Sequence, residues 1–94
     1  MPALHFLIRW PDQSELRCYS PSTVVREHFT PGQSYPLDDF VARSRLALGL
    51  ASERVREKFG FACSQAMDQL ADIEQAADAF RDLPGATVLV IAFN

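Results

Sequence analysis

Cysteine is scarce in this chain: Cys18 and Cys63 are the only two in 94 residues. Two thiols cannot build the disulfide framework of a small secreted domain, so both are expected to stay reduced in the cytoplasm. A basic surplus is missing as well. The formal net charge is −3, which argues against a surface built broadly for nucleic acid or for an anionic membrane. No apolar run approaches the ~20 residues that span a bilayer. The first residues enter a strand pattern directly, with no basic n-region and no cleavage site, which again predicts a cytoplasmic protein. Repeats, low-complexity tracts and linkers are absent, so one domain over residues 1–94 is expected. A chain of this size can bury a core without staples, with modest reserve.

The short motifs of common chemistry are missing too. There is no GxGxxG, GxxxxGK[ST] or GxSxG, which leaves dinucleotide, P-loop and hydrolase-elbow assignments without support. CxxC, HxxH and HExxH are also absent. A zinc site would have to gather Cys18, Cys63, His5 and His28 from separate segments, and neither a metal nor a cofactor is expected.

What is present is a regular alternation of strand and helix signals. Leu4, Phe6, Ile8 and Trp10 alternate with His5, Leu7 and Arg9, a strand with one strongly apolar face. Pro11-Asp12-Gln13-Ser14 is turn chemistry, and Glu15 to Tyr19 returns as a second strand, making a β-hairpin. Ser22 or Ser20 can cap a short helix over Thr23–Phe29. Thr30 to Pro36 reads as a loop. Leu37, Phe40, Val41, Ser44 and Leu48 fall on one helical face, and Asp38 and Asp39 suit the positive end of that helix. Gly49 is expected to weaken or end it, with Ser52 capping a further short helix that Gly60 closes. Ala66, Leu70, Ile73, Ala77 and Phe80 form a core stripe on a last helix from about Ser64 to Asp82.

Thr87 to Phe93 is a final strand, apolar on both faces: Leu89, Ile91 and Phe93 on one, Val88, Val90 and Ala92 on the other. A half-solvated strand would alternate. The order predicts an α+β domain: an N-terminal β-hairpin, three to four helices, and a C-terminal strand completing a three-stranded sheet covered by helices. The second apolar face predicts a homodimer.

Local physics offers chemistry at one junction. Cys63 precedes the last helix, where unpaired backbone amides carry partial positive charge and can lower a thiol's pKa. Cys63 is therefore the candidate nucleophile, and Ser64 and Gln65 are candidate ligand-binding groups beside it. The alternative is that Cys63 packs as a small apolar residue between Phe61 and Met67. Tyr19 and Ser20, in a polar loop stiffened by Pro21, are further candidates for lining a small-molecule pocket. Asp68, Asp72, Glu74, Asp78 and Asp82 crowd the last helix, whereas Arg43, Arg45, Arg54, Arg56 and Lys58 crowd the middle ones. The two sets are expected to be solvated faces or to meet each other, within the fold or across an interface.

Leu48-Gly49-Leu50-Ala51-Ser52-Glu53-Arg54-Val55 has the cadence of a helix-turn-helix, and residues 40–59 form a DNA-binding alternative. Against it stand the acidic balance of the chain and Arg45, where a small residue is usual.

Taken in order, Arg9-Trp10-Pro11-Asp12, Cys18-Tyr19-Ser20-Pro21-Ser22, Phe40-Val41-Ala42-Arg43-Ser44-Arg45, Ala51-Ser52-Glu53-Arg54-Val55 and the run Phe59 to Leu70 resemble the small bacterial nitrogen-starvation response proteins. The resemblance spans nearly the whole chain. Gln13 departs from it, where a turn glycine is expected. The resemblance implies a cytoplasmic protein encoded beside a nitrilase, a radical SAM protein, an acetyltransferase and a flavoprotein, in a cluster linked to nitrile or cyanide nitrogen. It supplies no catalytic residues. The expectation is an accessory protein that binds a cluster enzyme or a small metabolite. The alternative is a small thiol enzyme or carrier that uses Cys63 on a nitrile-derived carbon.

Overall fold

A computed structural model describes residues 3–61 and 64–94. The alternating segment at the start forms strand β1 (Leu4–Arg9), and β2 (Glu15–Ser20) returns beside it. A short 3-10 helix (Thr23–Glu27) leads to β3 (Ser34–Pro36), α1 (Leu37–Phe59), α2 (Ser64–Asp78) and β4 (Thr87–Phe93). The strands form one antiparallel sheet in the order β2-β1-β4-β3. The architecture is thus α+β, with two α-helices rather than three or four and four strands rather than three.

Each departure from the sequence reading has a physical cause. Ser34–Pro36, expected as loop, pairs with β4 because Tyr35 sits opposite Val88 and buries its ring in the core. The Tyr35 hydroxyl accepts from the Thr30 amide at 2.8 Å, which ties the preceding turn to the strand. Gly49 neither ends nor caps a helix. A mid-helix glycine costs about 1 kcal/mol relative to alanine, but its flanking residues Ala47, Leu48, Ala51 and Ser52 are all buried, and that burial outweighs the cost. Ser52 is therefore an interior residue of α1, not a cap. Residues 40–59 contain no turn, so the helix-turn-helix alternative is excluded by the continuity of α1.

Other local expectations hold. Ser22 caps the short helix by accepting from the Val24 amide, although that helix is 3-10 and stops at Glu27. Gly60 ends α1 in the left-handed region (φ 86°) and donates to the Arg56 carbonyl at 2.8 Å. α2 stops at Asp78, not Asp82. Its last turns tighten into i→i+3 bonds, Ala79 to Ala76 and Phe80 to Ala77.

The core lies between one sheet face and the two helices. Phe6 pairs with Cys18 and Ile8 with Leu16, all on the helix side. Trp10 stacks on Phe80 at 5.8 Å and meets Phe40 edge-on at the same distance. Phe29 approaches Phe40 at 5.3 Å. Between Leu7 and Ile8 the β1–β4 register slips by one residue, so that Ile8 faces Val90 while Leu7 faces Ala92 and Phe6 faces Phe93. This bulge corrects the two faces expected of β4. Phe93 joins Val88 and Val90 toward the helices, packing on Phe6, while Ala92 lies with Leu89 on the opposite face. No helix among the described residues is long and apolar enough to cross a membrane.

Candidate functional site

α2 docks along β2, the edge strand. Its Ala66, Ile73 and Ala77 point into the core and anchor it. Between Ala66 and Ile73, at the margin of that stripe, Gln69 reaches the sheet edge and its Oε1 accepts from the Tyr19 amide at 2.9 Å. An edge-strand N–H that would otherwise be left to solvent or to another chain is thereby satisfied. The docking creates a cleft of about 410 Å³ lined by His5, Tyr19, Gln65, Asp68, Gln69 and Asp72. His5 and Tyr19 are register partners on the sheet face turned away from the core, and their rings meet edge to face at 5.7 Å.

The residues expected to bind ligand separate into two groups. Tyr19 and Gln65 share the cleft. Ser64 is exposed at the start of α2 and does not line it. Ser20 is fully buried, and its hydroxyl donates to the Ser22 carbonyl at 2.7 Å, which makes it a turn-forming residue that faces the core. Cys63 lies outside the described residues, and with it the candidate nucleophile.

Cys18 is described and is sealed. It is fully buried, and burial, with the nearby charge of Asp72, pushes its thiol up to about 12. At neutral pH it is a protonated core residue, neither a nucleophile nor a metal ligand. It also points to the helix side of the sheet, whereas His5 is on the other face. That alternation breaks up the zinc set considered above. Among the described residues, no three of His, Cys, Asp and Glu are grouped to hold a metal ion.

The charges of the two helices meet in part. Among the described residues one pair joins them, Arg45 of α1 to Glu74 of α2 at 3.0 Å; Asp78 pairs instead with Arg81 beyond the end of α2, and Arg56 lies 3.6 Å from Glu53 of its own helix. Asp68 and Asp72 have no ion-pair partner among the described residues, and both line the cleft. A second cavity, about 360 Å³ beside the hairpin turn and residues 83–87, offers one charged group, Arg9, already paired with Glu15 at 2.8 Å.

His5, Asp68, Gln69 and Asp72 were not singled out together from the sequence. Asp68 and Asp72 are visible there as i,i+4 neighbours, but nothing local joins them to Tyr19, fifty residues before Gln69. No characterised protein and no solved structure is significantly similar to the chain. The family described as nitrogen starvation-induced protein NitG matches it over residues 5–93, which takes in the sheet, both helices and every residue of the cleft, and the chain belongs to that family.

Proposed function

We propose that this protein is a non-catalytic accessory of the nitrogen-starvation response, which holds a small metabolite in the cleft between β2 and α2 and presents it to a partner enzyme. The observation that carries this reading is the composition of the cleft. It brings an aromatic ring, an imidazole, two amides and two carboxylates around one space of about 410 Å³, a size and polar content suited to orienting a small molecule. Among the described residues, its walls carry no thiol or serine hydroxyl to act as a nucleophile. The resemblance to proteins of a nitrilase-containing cluster makes a cytoplasmic, nitrile- or cyanide-related pathway the setting. The sheet face turned away from the helices, with Leu7, Leu89 and Ala92 at its centre, is the surface offered to the partner enzyme or to a second copy.

The test is native mass spectrometry of the protein purified from nitrogen-starved cells, with and without Tyr19→Ala. The wild-type chain retains a small molecule at one per chain, Tyr19→Ala loses it, and Cys63→Ser keeps it. Turnover of a nitrile by the purified chain that vanishes in Cys63→Ser would overturn the accessory reading in favour of a thiol enzyme. Sedimentation of the chain alone and with the cluster nitrilase distinguishes self-association from enzyme docking.

A further inference from the structure

We infer that the open end of the β2 edge pairs with the same strand of a second copy, antiparallel about Leu16, so that Glu15 of each chain stands opposite Arg17 of the other. This goes beyond the reading of the cleft and does not depend on what the cleft holds. It gives the second copy a place at the sheet edge and leaves the outward sheet face to the partner enzyme.

The sheet has two edges, and they are not equally protected. β3 is three residues long and ends on Pro36, which has no N–H to offer. β2 is six residues long, and the direction of its backbone groups follows from its neighbour. His5 exchanges backbone bonds with Asn94, at 2.8 and 2.9 Å, so its polar groups point toward β4. The backbone groups of its register partner Tyr19 therefore point away from β1, and the Tyr19 amide is the one that Gln69 takes. Alternation along the strand turns the N–H and C=O groups of Glu15 and Arg17 outward as well. The Gln69 cap stops short of them. From Gln69 beside Tyr19, the chain crosses beneath the sheet and reaches Trp10, just past β1, by Phe80. Among the described residues no side chain bonds the Arg17 amide.

Charge then selects one register. Only outward-pointing residues can exchange backbone bonds across the new pair. Setting Glu15 against Glu15, or Arg17 against Arg17, opposes like charges. Setting Arg17 against Tyr19 needs an amide that Gln69 already holds. Glu15 against Arg17 is complementary, and the two-fold axis repeats the pair. Arg9 also binds Glu15, but its bonds of 3.2 and 2.8 Å both end on Oε2, which leaves Oε1 to a second guanidinium. Arg17 is exposed and has no ion-pair partner among the described residues. Leu16, half-buried on the helix side, meets Leu16 of the second copy at the axis. One sheet then runs through both copies.

The experiment is sedimentation equilibrium of the full chain at low salt from about 10 μM to about 1 mM, a range suited to a short interface. The wild type should pass from monomer to dimer. Arg17→Glu and Glu15→Arg should each weaken self-association by at least about tenfold, because like charges then face each other. An equimolar mixture of the two variants should dimerise again, since the mixed pair restores an acid opposite a base at both positions. Both changes are at exposed residues and should keep the wild-type circular dichroism. In the wild type, amide exchange at Arg17 should slow as concentration rises, while that at Leu16, already bonded to β1, should not change. A wild type that stays monomeric throughout the range overturns the proposal. So does a dimer that both single variants retain, which would put the second copy on another surface, and so does a mixture of folded variants that fails to associate.

Discussion

α1 is one helix with two different reasons for being a helix. From Leu37 to Ser52 it buries eight residues against the sheet, α2 and the 3-10 helix. From Glu53 to Phe59 it buries none, and Phe59, on the same side as the core stripe, is 56% exposed. The first half is held by the core. The second is held by local terms: the Glu53–Arg56 pair, basic residues at the carbonyl end, and the left-handed Gly60 cap. The comparison teaches that the apolar pattern of a helix says where a core face points but not how far the core extends beneath it.

The sharpest way to break the comparison is to cut an aromatic ring from each half. Phe40 is fully buried between Trp10 and Phe29. Phe40→Ala should cost about 3–5 kcal/mol, a large share of the stability of a domain this size. Phe59→Ala should cost no more than about 0.5 kcal/mol, since it removes surface already in water. Urea denaturation of both variants measures the two values. Comparable losses would mean that the distal half is packed against something and that the division is wrong.

The thiol of Cys18 reads the sealing of the body by titration. Its folded pKa is raised to about 12 from an ordinary 9.0. The fold thus favours the protonated form, and that stability is present below the unfolded pKa and lost as pH climbs through the window from 9 to 12. Between pH 8 and pH 10.5 the loss due to Cys18 should be about 2 kcal/mol at ~1.4 kcal/mol per pH unit. Comparison with Cys18→Ala isolates it, because every other group titrates in both proteins. Parallel pH profiles for the two proteins would show that water reaches Cys18 and that the body is not closed around it.

Much of this body is readable in the sequence. The alternation of Leu4 to Trp10 places the first strand and its core face, and the spacing of Leu37, Phe40, Val41, Ser44 and Leu48 places the first half of α1. What is not readable is decided at a distance. Ser34–Pro36 becomes a strand only because β4, over fifty residues later, offers it an edge. Gly49 is carried through α1 by burial on either side of it, which no local propensity records. The inward and outward residues of β4 exchange at a bulge set by its pairing with β1, so period-two counting misplaces Ala92 and Phe93. The cleft follows the same rule: Tyr19 and Gln65 can be named from the sequence, but His5, Asp68 and Asp72 join them only once α2 lies along β2.

Two backbone positions refine the comparison on a smaller scale, because both hold φ in the left-handed region: Gly60 at 86° and Gln13 at 73°. Gly60→Ala should cost about 1 kcal/mol, but in the distal half the cost should stay local. Amide exchange at Lys58 and Phe59 should speed by about fivefold, the equivalent of that energy, while Ala47 and Leu48 exchange as before. Acceleration throughout α1 would show that its two halves unfold together.

Gln13 sits in the exposed turn between β1 and β2, where the resembling proteins led to an expected glycine. The turn is fixed by Trp10 N–H to the Ser14 carbonyl at 2.8 Å and Gln13 N–H to the Trp10 carbonyl at 2.9 Å. Asp12 accepts from the Ser14 amide and hydroxyl, bonds that hold its carboxyl below the usual range. A side chain in the left-handed region costs roughly 1–2 kcal/mol, against roughly 0.5–1 kcal/mol of extra chain entropy for glycine. Gln13→Gly should therefore stabilise by about 0.5 kcal/mol, a rise in Tm of about 2–4 °C. Unlike the change at Gly60, this one should register in global unfolding, because the turn is continuous with Trp10, whose ring is wedged against Phe40 and Phe80. An unchanged Tm, with faster or slower exchange confined to residues 11–14, would place the hairpin turn with the distal half of α1 rather than with the body.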